Sequence, residues 1–177
     1  MKIEIPKIKH NLLDCVQFVV RAMAKRPTRH AFQRRILVDE NRFVATDGQR
    51  LHTADIGHSY EPGMYEVMQC SAKGIVLLKD NDAGNFPKWQ DIVPNHNDYF
   101  EVNHSGEKWA NPVNIAFGLA QKGIVLNPQL LHAAVGDYNN WTVYFGEPDR
   151  PVLLVCKEKR AVIMPINVDK TEYKTKS

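Results

Sequence analysis

The residues most able to do chemistry are seven histidines, His10, His30, His52, His58, His96, His104 and His132. None falls at the H-x-x-x-H or H-E-x-x-H spacing that sets two imidazoles on one helix face around a zinc ion. Cys15, Cys70 and Cys156 are far apart and odd in number, with no C-x-x-C pair, so neither a zinc site nor a disulfide framework is expected. They read as small core or strand residues. Asp80, Asp82 and Asp91 fall in polar stretches where solvated turn carboxylates are the common case. No glycine-rich phosphate loop and no G-x-S-x-G elbow is present. The residue types therefore predict no enzyme, no cofactor and no metal, and leave binding as the function class.

Composition allows this and little more. The chain has 177 residues, 44% hydrophobic and 24% charged, with a net charge of +3. That is ordinary for a globular chain and too weakly basic to argue for nucleic acid alone. No apolar run reaches the roughly 20 residues of a membrane span. The opening MKIEIPKIKH alternates apolar and basic residues rather than forming a signal peptide. A cytoplasmic protein with no membrane partner is the expectation.

The elements that would position a binding site follow from periodicity. Ile3, Ile5 and Ile8 alternate with polar residues as in an opening strand. From Asn11 to Lys25, Leu12, Leu13, Val16, Val19, Val20 and Met23 recur at helical spacing, with Asn11 as cap and Pro27 as stop. Residues 31–56 read as strands, broken at 39–41 and turned tightly at Asp47–Gly48. A hairpin around Ser71–Gly74 follows, then a polar, proline-containing connection over 80–114 with little regular structure. Trp89 and Trp109 are its candidate anchors, on the core or on another subunit. A second cycle opens with a strand over 124–128, a helix Pro128–Val135 capped by Asn127 and closed by Gly136, and three strands. The fold class predicted is α+β: two strand–helix–strands units, with two helices packed on a curved, mainly antiparallel sheet. The units are 1–57 and 123–170, separated by an inserted hairpin and connector over 58–122 and followed by a frayed tail over 171–177.

Three motifs carry a family resemblance. Val44-Ala45-Thr46-Asp47-Gly48-Gln49-Arg50-Leu51 resembles the V-A-T-D-G-H-R-L segment in the second domain of the bacterial DNA polymerase III β sliding clamp, with Gln49 where histidine is usual. FPKWQDIVP (86–94) is similar to that family's F-P-D-Y-R-R-V-L-P connector, with Asp91 in place of arginine. VIMPINV (162–168) is similar to its closing V-V-M-P-M-R-L, with Asn167 in place of arginine. VLNPQLLHAAVG and DRPVLLV resemble the second helix of the last clamp domain and the strand after it. The order of the three motifs makes the resemblance specific. The length departs from it: a β clamp has three such domains and this chain has material for one.

The resemblance implies a DNA-clamp fold and a processivity factor that assembles into a ring on double-stranded DNA without reading its sequence. It also implies a groove for the clamp-binding peptides of DNA polymerases and repair proteins. By that reading Thr46, Gly48, Arg50, Leu51, Pro87, Ile92, Val162, Met164, Pro165 and Ile166 form the groove. Its apolar area and adaptable methionine would suit leucine or phenylalanine anchors. Residues 162–166 read equally well as a buried final strand, and Asp47–Gly48 as a purely conformational turn. The DNA-facing candidates are Lys7, Lys9, Arg21, Lys25, Arg26 and Arg29, which a solvated helix face explains as well. One domain cannot surround a duplex. A homo-oligomer of roughly six copies, closed head to tail, would be needed. The alternative is a module that never encircles DNA and binds a host clamp or its partner proteins.

Overall fold

A computed structural model of the chain describes residues 1–95, 100–102, 111–136 and 140–167. Its frame is one ten-stranded antiparallel sheet. The strands are β1 (Lys2–Pro6), β2 (Ile36–Asp39), β3 (Arg42–Thr46), β4 (Arg50–Asp55), β5 (Gly63–Ser71), β6 (Gly74–Lys79), β7 (Phe100–Val102), β8 (Thr142–Phe145), β9 (Val152–Cys156) and β10 (Lys159–Ile163). Their order across the sheet is β1-β6-β5-β2-β3-β4-β10-β9-β8-β7. The two units thus meet at a central seam where β4 pairs with β10, and β2-β3-β4 mirrors β8-β9-β10 across it. The hairpin of β5 and β6 closes the first unit, because β6 pairs with β1 and β5 with β2.

Among the described residues three helices accompany the sheet: α1 (His10–Val20), α2 (Pro112–Ala120) and α3 (Pro128–Val135). The stripe Leu12, Leu13, Cys15, Val16, Phe18 and Val19 of α1 is buried against one sheet face. Full burial of side chains such as Val16, Phe18 and Val19 is worth about 1.5–3 kcal/mol each. Strand positions Ile36, Val38, Phe43, Ala45, Ala54, Ala161 and Ile163 complete this core. A smaller cluster of Val44, Leu51, Trp89, Leu153 and Val162 lies apart from it. Strand alternation puts Val44, Leu51, Leu153 and Val162 on the opposite sheet face, where Trp89 of a later 3₁₀ turn joins them.

Several local expectations need correction. Helix α1 starts one residue before Asn11, and its N-cap position, Lys9, makes no side-chain capping bond. The helix ends at Val20 rather than Lys25, because the Ala24 N–H is taken by the Gln33 carbonyl at 2.7 Å. Residues Ala31–Arg34 form a 3₁₀ turn, not the start of a strand. The strand expected over 124–128 is absent. Ile124 instead donates to Leu119 of α2, and the Val125 carbonyl accepts from Ile166. Helix α2, a third helix beside the two expected, falls at the end of the connector and just beyond it. Asn111 caps it, accepting from the Val113 N–H at 2.8 Å, with Pro112 at its first position. The caps Asn127 and Gly136 of α3 are as the sequence suggests. Trp109 and the tail 168–177 lie outside the described residues.

Candidate functional site

The turn between β3 and β4 is held by its own side chains. Asp47 Oδ1 accepts from the backbone N–H groups of Gln49 and Arg50, at 3.0 and 3.1 Å, and Oδ2 accepts from Arg50 Nε at 3.0 Å. Thr46 Oγ1 donates to the Arg50 carbonyl at 2.6 Å and accepts from the Gly48 N–H at 3.1 Å. Gly48 sits at φ +91°, and a Cβ there would come within 2.9 Å of Gln33 Nε2. The positive φ is what favours glycine here, since the end of the Gln33 side chain can swing aside. The Arg50 side chain is 7% exposed and committed to Asp47. It braces the turn rather than reaching out of it.

The seam brings the other motifs to this turn. In register, Thr46 lies opposite Leu51, Leu51 opposite Val162, Val162 opposite Leu153, and Leu153 opposite Tyr144. This apolar row therefore crosses five strands on the face away from the helices. Beyond β10 the chain passes the turn, and the Met164 N–H donates to the Gln49 carbonyl at 3.0 Å. Met164 is 43% exposed and Ile166 47%, while Leu51 and Val162 are buried. Pro165 between them is half-buried. Ile166 then bonds to Val125, which carries the tail into the second unit.

The connector supplies a lid on the same face. Trp89 is buried in the second cluster, and its Nε1–H donates to Asp39 Oδ2 at 2.7 Å. Gln90 Nε2 donates to the same oxygen at 3.0 Å, and the Arg42 guanidinium lies over the indole at 5.6 Å. Phe86 and Val93 pack at the cluster's margin. Phe86 also meets Phe32 edge-on at 5.5 Å, and Phe32 stacks with His30 at 5.4 Å. Ile92, three residues beyond Trp89, is 38% exposed.

Of the ten groove candidates, Thr46, Gly48, Arg50, Leu51, Val162, Met164 and Pro165 gather at the turn and the seam. Ile92 lies exposed on the connector, and Ile166 leads away toward Val125. Pro87 lines a neighbouring cavity of about 520 Å³, with Leu37, Met64, Phe86 and Trp89. Sequence reasoning missed Phe32, Gln33 and Asp39. The first two sit in a 3₁₀ turn read as strand, and Asp39 in a hairpin break that gave no hint of an indole partner.

The six basic candidates do not form one stripe. Lys7 and Lys9 are exposed in the turn before α1, and Lys25, Arg26 and Arg29 in the loop after it. The eleven residues of α1 between these groups span about 16 Å. Arg21 ends α1 half-buried, its guanidinium against Gly136 at the end of α3. Helices α1, α2 and α3 contain no lysine or arginine.

Among the described residues no group of histidine, cysteine and carboxylate side chains could hold a metal. No described helix is long and apolar enough to cross a membrane. Cys15 and Cys156 are buried and Cys70 exposed, and burial pushes all three thiols up.

No protein-family model matches the chain, and no curated protein matches it in sequence. Solved structures do match. The DNA polymerase sliding clamp of Pseudomonas aeruginosa aligns at TM-score 0.61 and 13% identity, over 95% of this chain and 67% of its own. The DNA polymerase III β subunit of Thermotoga maritima gives 0.64 and 14%, over 95% and 66%. The β sliding clamp of C. crescentus gives 0.64 and 14%, over 94% and 65%. This chain spans about two thirds of the length of the clamp chains it matches. What this likeness establishes is the fold: the chain is built like the bacterial DNA polymerase III β sliding clamps.

Proposed function

We propose that this protein is a clamp-type binding module whose groove, between the Thr46–Leu51 turn and the Val162–Ile166 tail, receives short linear peptides. Its ligands would be the motifs by which polymerases and repair proteins engage clamps. One observation carries the reading: Leu51 and Val162 are buried register partners, and Met164, two residues along from Val162, is exposed at the margin of that pair. Buried apolar floor, adaptable rim and braced turn are what a leucine or phenylalanine anchor needs. The test is fluorescence anisotropy of a labelled peptide with a Leu-Phe anchor against the same peptide with both anchors changed to alanine. Saturable binding of the first alone supports the groove. Equal or no binding removes it.

The non-encircling form of this reading is favoured by the helices, which lack the basic residues that phosphate contacts require. A ring on DNA is the second reading, and the open sheet favours it. Its edge strands β1 and β7 offer backbone groups that could pair head to tail between copies. Solution mass by light scattering separates the two. A discrete closed oligomer retained on circular but not linear DNA would establish the ring. A monomer would leave the module.

A further inference from the structure

We propose that the basic loop over residues 25–29 flanks this groove and selects partners whose apolar anchor is accompanied by acidic residues. The proposal rests on the groove reading and adds the ligand's charge to it. The loop is folded back onto the groove wall. The Ala24 N–H donates to the Gln33 carbonyl at 2.7 Å, and the Thr28 hydroxyl donates to the His30 carbonyl at 2.8 Å. The 3₁₀ turn Ala31–Arg34 that follows is the wall itself. Its Gln33 amide backs Gly48, and its Phe32 joins His30 to Phe86 of the connector. Lys25 and Arg29 therefore stand at the two ends of a segment anchored beside the site.

Charge then points to the occupant. From Arg21 to Arg35 the sequence holds six basic residues and no acidic one. Lys25, Arg26, Arg29 and Arg34 are exposed, and none forms an ion pair among the described residues. The contrast with the sheet is clear, where Arg35, Arg50, Lys79 and Lys159 each meet a carboxylate. An array of uncompensated cations beside an apolar groove favours an anchor with carboxylates next to it. Duplex DNA is the other polyanion such a loop could meet. It is less favoured, because the three helices carry no cation to continue a phosphate track.

The experiment uses the full chain and labelled peptides with one Leu-Phe anchor, flanked before or after by three glutamates or by three glutamines. At low salt one glutamate peptide should bind about fivefold or more tighter than its glutamine counterpart, and the difference should collapse near about 0.5 M salt. The exposed triple variant K25E/R26E/R29E should abolish the preference and leave the glutamine peptide's affinity unchanged. Equal affinities for glutamate and glutamine peptides would overturn the proposal while leaving the groove standing. So would a triple variant that loses affinity for a short duplex yet keeps the glutamate preference, which assigns the loop to DNA. Failure of every anchored peptide to bind would remove the groove, and this proposal with it.

Discussion

Met164 donates its backbone N–H to the carbonyl of Gln49 across 3.0 Å. That bond fastens the closing motif of the chain to the turn of its first unit, just past the Leu51–Val162 and Arg50–Ile163 pairs of the seam. The proposed groove would thus be a product of the seam, with one wall from each unit.

Met164 and Leu51 should separate binding from stability. Met164→Ala keeps the backbone bond and trims a half-exposed side chain, so stability should change by about 0.5 kcal/mol or less. Affinity for the anchored peptide should fall about tenfold or more. Leu51→Ala empties a buried site in the second cluster and should cost about 2–5 kcal/mol. Urea melts paired with anisotropy check both.

Gly48→Ala meets a positive φ, and its Cβ would also push on the movable Gln33 amide. It should destabilise the fold by roughly 1–2 kcal/mol. Adding Gln33→Ala removes the close contact but not the φ strain, so the double variant should recover only part of the loss. Full recovery in thermal melts would show that the turn has no conformational demand for glycine.

The pair between Lys159 and Asp14 spans 2.7 Å, with the lysine side chain 7% exposed and the aspartate 33%. It borders a cleft of about 420 Å³ that also touches Cys15, Asp55 and His58. Asp14→Asn takes a carboxylate from a buried cation and should destabilise the fold. Lys159→Met should cost less, since Asp14 still reaches water. Chemical denaturation of the two variants should show that order. The reverse order would mean that Asp14 depends on Lys159.

His52 predicts the acid limb of stability. Its ring is fully buried, stacked on Phe18 at 4.4 Å, with Nδ1 2.8 Å from the Phe18 carbonyl. Burial, aided by the Arg50 and Arg21 charges, lowers its pKa from 6.5 to about 3, against the opposing backbone hydrogen bond. Between those values the unfolded chain binds a proton that the folded chain refuses. Stability is therefore full above pH 6.5 and falls as pH drops toward 3, by an amount on the order of a few kcal/mol. His52→Leu should flatten unfolding free energy against pH by one proton in this window. An unchanged slope would place the titration elsewhere.

Much of the site was readable because its parts are locally coded. Thr46-Asp47-Gly48 specifies a turn by side-chain bonds within five residues, and Ile163 to Ile166 ends a strand at a proline. Their meeting was legible only through the family resemblance, since the β4–β10 seam joins strands far apart in sequence. Helix α2 escaped notice because PVNIAFGLA lacks a polar stripe, leaving Val113 and Phe117 exposed while Ile115 and Leu119 are buried. Trp89 was readable as an anchor, but not its partner Asp39, fifty residues upstream. A helix read as far as Lys25 would carry Arg21 and Lys25 on its own surface, yet α1 ends at Val20 and leaves Lys25 in the loop after it.

The most direct test of the groove is amide NMR of the labelled 20.2 kDa chain titrated with the Leu-Phe peptide. The account predicts the largest shifts at Gly48, Gln49, Leu51, Met164 and Ile166, with smaller ones along 86–93. Shifts confined to other faces, or none at saturating peptide, would contradict it.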